Sequence, residues 1–373
     1  MRVGVDGRAF DSPAGGVRRY VGELYRAILQ ADESVEIVAI GGSGRRLPAG
    51  VRRRRTIPFP TNLGWMAASI PLAVRRAQLD VYHAPAYTAP LWGVHPQLLT
   101  IHDVSYERVP EWNAYKNDRM RRSFYRRSAL AADRIVTDSA FSRDEIVAAY
   151  GISASRIDVV PLAASPSFCP GLFDPAAAPL GVQQPYALHV GDLQVRRNLS
   201  TALAAILAVR HRLSLEEPPR RPPEFVYAGV DRGVGDALRA QAAAGRDPGA
   251  VVLTGPIPEA ALLNLYRGAQ MLLYPSRYEG FGLPVLEAMQ CGVPVAGANA
   301  ASIPEIVADA GLLVDPLDQE GWATAVHRLA ADRVLHARLV SAGLRRAQAF
   351  SWARTAEATL RSLRRCTQDP HKG

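Results

Sequence analysis

Short, continuous apolar runs alternate with helix-length amphipathic segments along the whole chain. In the first half the runs are MRVGV, VEIVAI, DVYHA, LLTIHD, RIVTDS and IDVVP. In the second they are YALHVG, EFVYAG, VVLTG, MLLYP, VPVAG and GLLVD. Runs this short, without polar alternation, predict strands buried on both faces of a parallel sheet. Between them the spacing predicts helices over 17–30, 142–150, 198–212, 258–269, 283–291 and 319–332. Ser142-Arg143-Asp144-Glu145 reads as a capping box opening one of them. Strand and helix in alternation imply an α/β chain with helices on both faces of parallel sheets, and two sets of about six runs imply two sheets.

The boundary between the sets is legible. Residues 161–185, PLAASPSFCPGLFDPAAAPLGVQQP, hold six prolines in 25 residues and no helical or strand period, which is linker composition. The expected division is 1–166 and 167–350, in keeping with a length of 373 residues. Ligands of open parallel sheets bind beyond the carboxyl ends of the strands, so two such sheets facing each other would hold a substrate in the cleft between them.

Composition narrows the setting. Three widely spaced cysteines, Cys169, Cys291 and Cys366, make no metal or disulfide pattern, and a reducing cytoplasm is the expectation. The N-terminal MRVGVDGRAF has no signal-peptide h-region, and no apolar run approaches the ~20 residues that span a bilayer. The net charge of +9 is concentrated in residues 1–166, where 23 Lys/Arg face 16 Asp/Glu. Much of it lies in Arg52–Arg55 and in DRMRRSFYRR, 118–127, where a helix would put Arg119, Arg122 and Arg126 on one face. Such a face is solvated surface, or a site for an anionic membrane or a phosphorylated acceptor. Nucleic acid is not expected, because no binding motif accompanies the charge.

Four stretches fall at strand ends, where chemistry is expected. Gly15-Gly16 precede the first helix, and paired glycines admit a ligand close to backbone, although ordinary loops use them too. His102-Asp103 end the run LLTIHD, a position that structural histidines also occupy. In HVGDLQVRRNLSTAL, Arg196 and Arg197 stand before a helix opening near Asn198, and guanidinium forks pair bidentately with phosphate oxygens. No P-loop and no G-x-G-x-x-G occurs here. In YPSRYEGFGLPVLEAM, a buried strand is followed by a glycine turn and by Pro284 in the first turn of a helix. Gly282 offers that helix no side-chain cap, and an open helix N-terminus attracts an anion. Glu279 and Glu287, eight apart, flank the turn, which suggests a ligand with both an anionic part and hydroxyls. A further loop, Gly255-Pro256-Ile257, ends another strand of the same set.

YPSRYEGFGLPVLEAMQCGVPVAG, GDLQVRRN, LTGPIPEAALLNLYRGA, TIHDVSYERVPEW, VTDSAFSRDEIV, DAGLLVDP and FSWARTAEATL, taken together, resemble the retaining GT-B glycosyltransferases of family 4, the glycosyl transferases group 1. The resemblance runs from about residue 1 to 362 and implies a GT-B fold. That means two Rossmann-like domains facing across a cleft, with a C-terminal helix, about 351–366, packed back on the first. It implies a nucleotide-diphosphate sugar donor held mainly by the second domain and no bound metal or other cofactor. No D-x-D clamp is present, and two arginines with a helix end can take the place of a divalent ion.

Residue by residue, the resemblance gives Glu287 the ribose hydroxyls and Glu279 the donor sugar. The stretch Gly280, Phe281, Gly282 and Leu283 would cradle sugar and phosphate. Arg196 and Arg197 would neutralise the departing diphosphate beside the Gly191 turn, and arginine stands at 197 where the family usually has lysine. Gly255, Pro256 and Ile257 would meet the base, His102 the anomeric centre, and Gly15 and Gly16 the sugar phosphate. The implied partners are the donor and a glycan or lipid-linked acceptor, with mannose from GDP-mannose as the expected transfer and the inner face of the cell membrane as the possible place of work. Two readings stand beside it: a non-catalytic carbohydrate-binding homologue, and a nucleotide-sugar epimerase or hydrolase on the same fold.

Overall fold

The structure, a computed structural model, describes residues 1–57, 59, 61, 64–112, 117–215 and 221–368. The chain forms two compact units, Met1–Ala163 with Phe350–Gly373, and Ala164–Ala349.

The first unit is built on β1 (Arg2–Asp6), β2 (Glu36–Ile40), β3 (Arg52–Arg54), β4 (Val81–Ala84), β5 (Gln97–Thr100), β6 (Arg134–Thr137) and β7 (Ile157–Val159). They pair in parallel in the order β3-β2-β1-β4-β5-β6-β7. Six of the seven are the predicted apolar runs. The seventh, β3, is three consecutive arginines with exposed or half-buried side chains. An edge strand takes its order from pairing with β2 rather than from burial, so no hydrophobic pattern announces it.

The second unit carries β8 (Tyr186–Val190), β9 (Glu224–Ala228), β10 (Val251–Gly255), β11 (Met271–Tyr274), β12 (Val295–Ala298) and β13 (Leu312–Val314), in the order β10-β9-β8-β11-β12-β13. All six are predicted runs, and their pairing is again parallel. β8 and β11 are buried at every residue, which is why their sequences do not alternate.

Both sheets reverse their winding once. β1 lies beside β4 in the first, and β8 lies beside β11 in the second. These are topological switch points, where loops from adjacent strands leave in opposite directions and open a crevice at the carboxyl edge.

The predicted helices are present as Gly15–Ala31, Ala140–Tyr150, Leu199–Ser214, Glu259–Gly268, Leu283–Gln290 and Gln319–Ala331. Two starts differ from the sequence reading. Gly15 and Gly16 are the first turn of their helix rather than the loop before it. The helix expected to be capped by Ser142 begins at Ala140, and Ser139 caps it by accepting from the Ser142 amide at 3.0 Å. Ser142 lies inside the first turn instead, and its hydroxyl donates to the His102 carbonyl at 3.1 Å.

A final helix, Trp352–Gln368, belongs to the first unit, where it packs on the helix Gly15–Ala31 and on β4, β5 and β6. Its buried residues Trp352, Ala356, Leu360 and Leu363 recur at three- and four-residue intervals, one face of a helix. Full burial of leucines such as Leu360 and Leu363 contributes about 1.5–3 kcal/mol each. Thr355 Oγ1 donates to the Pro161 carbonyl at 2.8 Å, and Arg364 pairs with Asp32 at 2.7 Å. Among the described residues no helix is long and apolar enough to cross a membrane.

Candidate active site

A buried cluster of charge stands at the switch point of the second unit. β8 runs out into Gly191, and the chain then forms a single 3-10 turn, Val195–Arg197, before the helix Leu199–Ser214. β11 ends at Tyr274 and leads into Ser276 and Glu279. The two loops are tied by a backbone bond from Arg277 N to Arg196 O at 2.9 Å.

Arg197 Nη1 donates both to Glu279 Oε1 and to the Tyr274 hydroxyl. The guanidinium carbon lies 5.3 Å from the Tyr274 ring centroid. Arg196 donates to the Tyr278 carbonyl at 2.8 Å and to Gln194 Oε1 at 3.1 Å, and its Nη1 lies 3.5 Å from Glu279 Oε2. Ser276 Oγ completes the cage by donating to Glu279 Oε1 at 2.6 Å.

Burial would push the Glu279 carboxyl up. Arg197 first, then Arg196, outweigh it with help from Ser276, and the net shift is downward, so Glu279 is an anion at neutral pH. Burial likewise disfavours the Arg197 cation, and Glu279 with Tyr274 more than restores it. His189 is pushed down to about 3 by burial and then by Arg197. Its Nδ1 therefore carries the proton given to the Leu273 carbonyl at 3.0 Å, and Nε2 is left as a buried lone pair with no partner among the described residues.

Arg197 is not fully satisfied. Its Nε is buried with no hydrogen-bond partner among the described residues, although Nη1 makes two bonds. The Nε–Nη2 side of a guanidinium is a bidentate fork for two oxygens. Gly191 makes room beside it: a Cβ there would sit 3.3 Å from Nη2 and 3.4 Å from Cζ, and its φ of +130° is also one that favours glycine. A buried donor left unpaired costs about 1–3 kcal/mol, which marks a place where an acceptor belongs.

The turn after Glu279 is held from behind. Ser302 Oγ, fully buried, lies 2.9 Å from the Glu279 carbonyl and 2.6 Å from that of Phe281. Gly282 takes φ +119° and opens the helix Leu283–Gln290, with Pro284 in the first turn and no side-chain cap. Gly280, Phe281 and Gly282 are buried, and Leu283 is half-buried. Glu287, 2% exposed on this helix, accepts a hydrogen bond from the Tyr266 hydroxyl at 2.9 Å. Gly255 ends β10, two strands from β8, and Pro256 and Ile257 follow it. Gly255 has φ +69° and open space where a side chain would be, Pro256 is exposed and Ile257 half-buried.

In the first unit His102 follows β5. Its Nδ1 lies 2.8 Å from Asp138 Oδ2, and its buried Nε2 faces the Pro85 carbonyl without making a well-aligned hydrogen bond among the described residues. Tyr20 meets the ring edge-on at 4.9 Å between centroids, and Tyr87 at 5.9 Å. Burial would lower the His102 pKa, but Asp138 and then Asp103 raise it above its ordinary value. Gly15 and Gly16 face open space, since a Cβ on Gly16 would meet nothing within 4 Å and one on Gly15 only Arg18 Nη2 at 3.9 Å. Close packing does not explain either glycine.

The predicted residues therefore fall into two groups, one in each unit. The structure gathers Arg196, Arg197 and Glu279 into one bonded cluster, with Gly191 beside the Arg197 guanidinium. It adds residues that the sequence reading passed over: Tyr274, Ser276, Ser302, Tyr266, His189 and Asp138. Ser276, three residues before Glu279 in YPSRYE, carried a local signal. Ser302, twenty-three residues beyond Glu279, carried none.

Comparison with known proteins covers both units. Residues 184–332 match the family described as glycosyl transferases group 1, and residues 14–168 match glycosyltransferase family 4. An O-antigen chain mannosyltransferase B of Escherichia coli is 32% identical over 326 residues, which is 86% of this chain and 81% of that protein. Among solved structures, sucrose-phosphate synthase of Thermosynechococcus elongatus superposes with a TM-score of 0.73 at 19% identity, covering 98% of each chain. Anabaena Alr3699/HepE, in complex with UDP-glucose, gives a TM-score of 0.67 at 18% identity over 98% of this chain and 99% of the other. The fold is GT-B, as the sequence implied.

Proposed function

The chain belongs to the glycosyltransferases of family 4, glycosyl transferases group 1, and from that premise we propose that it moves a hexose, mannose in the first instance, from GDP-mannose to a glycan or lipid-linked acceptor with retention at the anomeric carbon. The mannosyl donor is carried over from the Escherichia coli relative, whose printed name is that of a mannosyltransferase. The observation that carries the reading is the Arg197 fork: a buried guanidinium with Nε unpaired, beside Gly191 and at the carboxyl edge where β8 meets β11.

Breaking a sugar–phosphate bond leaves negative charge on the diphosphate. Fixed guanidiniums aimed at that charge stabilise the transition state more than the ground state, because they need no reorganisation as charge develops. Arg197 would take phosphate oxygens through Nε and Nη2, and Arg196 would add a second positive charge. The uncapped helix at Leu283 would contribute its amide dipoles. Glu279, held by Ser276 and the two arginines, would accept from sugar hydroxyls through its remaining lone pairs. Glu287 would take the ribose hydroxyls, and Gly255 to Ile257 would lie against the base. His102, with Nδ1 on Asp138, would turn Nε2 to the sugar, and Gly15 and Gly16 would admit the donor's phosphate. With cations supplied by the chain, the reaction needs no divalent metal. The protein would act in the cytoplasm, at the inner face of the membrane that carries its acceptor.

The test is transfer from GDP-mannose, UDP-glucose and other nucleotide sugars to a panel of glycan and polyprenyl-linked acceptors, with and without EDTA. Product with an α-linkage from an α-donor, undiminished by chelator, is expected. Donor binding with no transfer to any acceptor would point to a non-catalytic homologue, and strict dependence on Mg²⁺ or Mn²⁺ would remove the proposed role of the arginines.

A further inference from the structure

We propose that the carboxyl end of β3, in the first unit, is a binding site for a phosphate carried on an aliphatic chain. A cavity of about 400 Å³ opens there, with Arg54, Arg55 and Arg76 on one side of its chemistry and Ile57, Leu72 and Ala73 on the other. No carboxylate lines it. Some arginines of this unit are matched, Arg52 with Glu36, Arg108 with Glu145, Arg122 with Glu107 and Arg134 with Asp158 among them. Arg54, Arg55 and Arg76 make no ion pair among the described residues. Three guanidiniums lining one cavity without a counter-ion among the described residues make it positive, and an anion bound there is attracted to all three. Phosphate suits the fork of arginine better than a point charge would.

The apolar side decides what carries the phosphate. Ile57 is 57% exposed and Leu72 38%, and Phe59, two residues beyond Ile57, is 44% exposed. Inorganic phosphate or a nucleotide phosphate would leave these side chains in water, whereas an alkyl or isoprenyl chain would cover them. The walls are fixed from within. Ser69 Oγ donates to the Ile57 carbonyl at 2.6 Å, tying the segment after β3 to the helix Ile70–Ala77. That helix is entered through a π turn, Trp65–Ser69, and such turns favour functional positions. The cavity lies two strands from β1, at the same carboxyl edge of the sheet, roughly 10 Å away at the ordinary spacing of strands. An amphiphile seated here would hold its phosphate at that distance from the switch point of the first sheet.

The inference deepens the acceptor half of the proposed function, but the binding it names is measured without any transfer reaction, so the two can fail separately. Calorimetry of the full chain with dodecyl phosphate, below its micellar concentration, is compared with inorganic phosphate and with the neutral dodecyl maltoside. Dodecyl phosphate should bind at least tenfold more tightly than either. R54Q/R55Q/R76Q should weaken it tenfold or more, while R119Q/R126Q/R127Q, an equal charge change on the exposed side of the helix Arg119–Ala131, should not. If the first triple variant does not fold, Arg76→Gln and Leu72→Gln, both at exposed helix positions, should each weaken binding severalfold. Flotation with phosphatidylcholine vesicles containing either phosphatidylglycerol or a polyprenyl phosphate then tells the bulk headgroup from the lipid-linked monoester. Inorganic phosphate binding as tightly as the alkyl ester would overturn the proposal. So would equal losses in the two triple variants, which would mean diffuse attraction to anionic surfaces.

Discussion

Arg197 and Glu279, eighty-two residues apart in sequence, share a buried hydrogen bond from Nη1 to Oε1. The bond joins the loop after β8 to the loop after β11. It also links the group assigned to the leaving diphosphate with the group assigned to the sugar. Each is kept charged by the other inside a site that would otherwise suppress both charges. If the proposed roles hold, stability and catalysis are coupled at this pair, and mutation can separate them.

Arg197→Ala removes the main counter-ion of a buried carboxylate. Breaking a buried pair costs about 3–5 kcal/mol, and the remaining Arg196, 3.5 Å from Glu279, should hold the loss nearer ~2 kcal/mol. Arg197→Met combined with Glu279→Gln removes both buried charges, leaves only the partly exposed Arg196 without its carboxylate, and should recover much of the lost melting temperature while transfer stays absent. Thermal unfolding of the two single variants and the double variant decides this. A double variant as unstable as the sum of the singles would mean that the pair is not coupled.

Acid should expose the same pair. The folded-state pKa of Glu279 is depressed, so its contribution is present above the ordinary glutamate value of ~4.3 and is lost as pH falls through the lower folded value. Glu279→Gln should therefore be less stable than wild type at pH 7, with the difference shrinking below about pH 4. Melting curves from pH 7 to 3 measure it. A constant difference across that range would show that the carboxylate charge is not what stabilises the site.

Much of this architecture was legible because burial on both faces writes itself into strands such as β8 and β11 as unbroken apolar runs. The all-arginine β3 was not, since its order comes from one neighbour and not from the core. Local spacing also misplaced a cap from Ser139 to Ser142, because SAFSRDE offers two serines and only the backbone decides between them. Arg196, Arg197 and Glu279 could be named from motifs. That Glu279 is wedged between them could not, nor could Ser302 behind the turn. Those contacts are set by how β8, β11 and the segment after β12 come side by side, which no local pattern records.

His102 and Asp138 offer a prediction in the first unit. The His102 pKa is raised, so this histidine's contribution is present below its ordinary value of ~6.5 and is lost as pH rises through the folded value, while burial raises the Asp138 carboxyl and works against the pair. Asp138→Asn removes the anion while burial remains, and it should bring the His102 pKa below ~6.5. NMR titration of the His102 ring reads this directly. An unchanged pKa would mean that Asp138 does not hold the proton on Nδ1.

The two glutamates that flank the glycine turn should fail differently. Glu287, bonded to Tyr266 and assigned to the ribose, should on mutation to Ala mainly raise donor KM and weaken nucleoside diphosphate binding. Glu279→Gln, at the sugar end, should lower kcat by roughly a hundredfold or more and leave diphosphate affinity within a fewfold of wild type. Steady-state kinetics with calorimetry separate the cases. The reverse pattern would mean that the donor lies the other way round.

The central claim is that Arg197 receives the diphosphate through its unpaired edge. Calorimetric titration of GDP against GMP, on wild type and on Arg197→Ala in the presence of EDTA, tests it most directly. Wild type should bind GDP at least tenfold more tightly than GMP, since a charge-assisted hydrogen bond contributes about 1.5–3 kcal/mol, and Arg197→Ala should erase most of that preference. Equal affinities for GDP and GMP in wild type, or a GDP preference that survives in Arg197→Ala, would contradict the assignment.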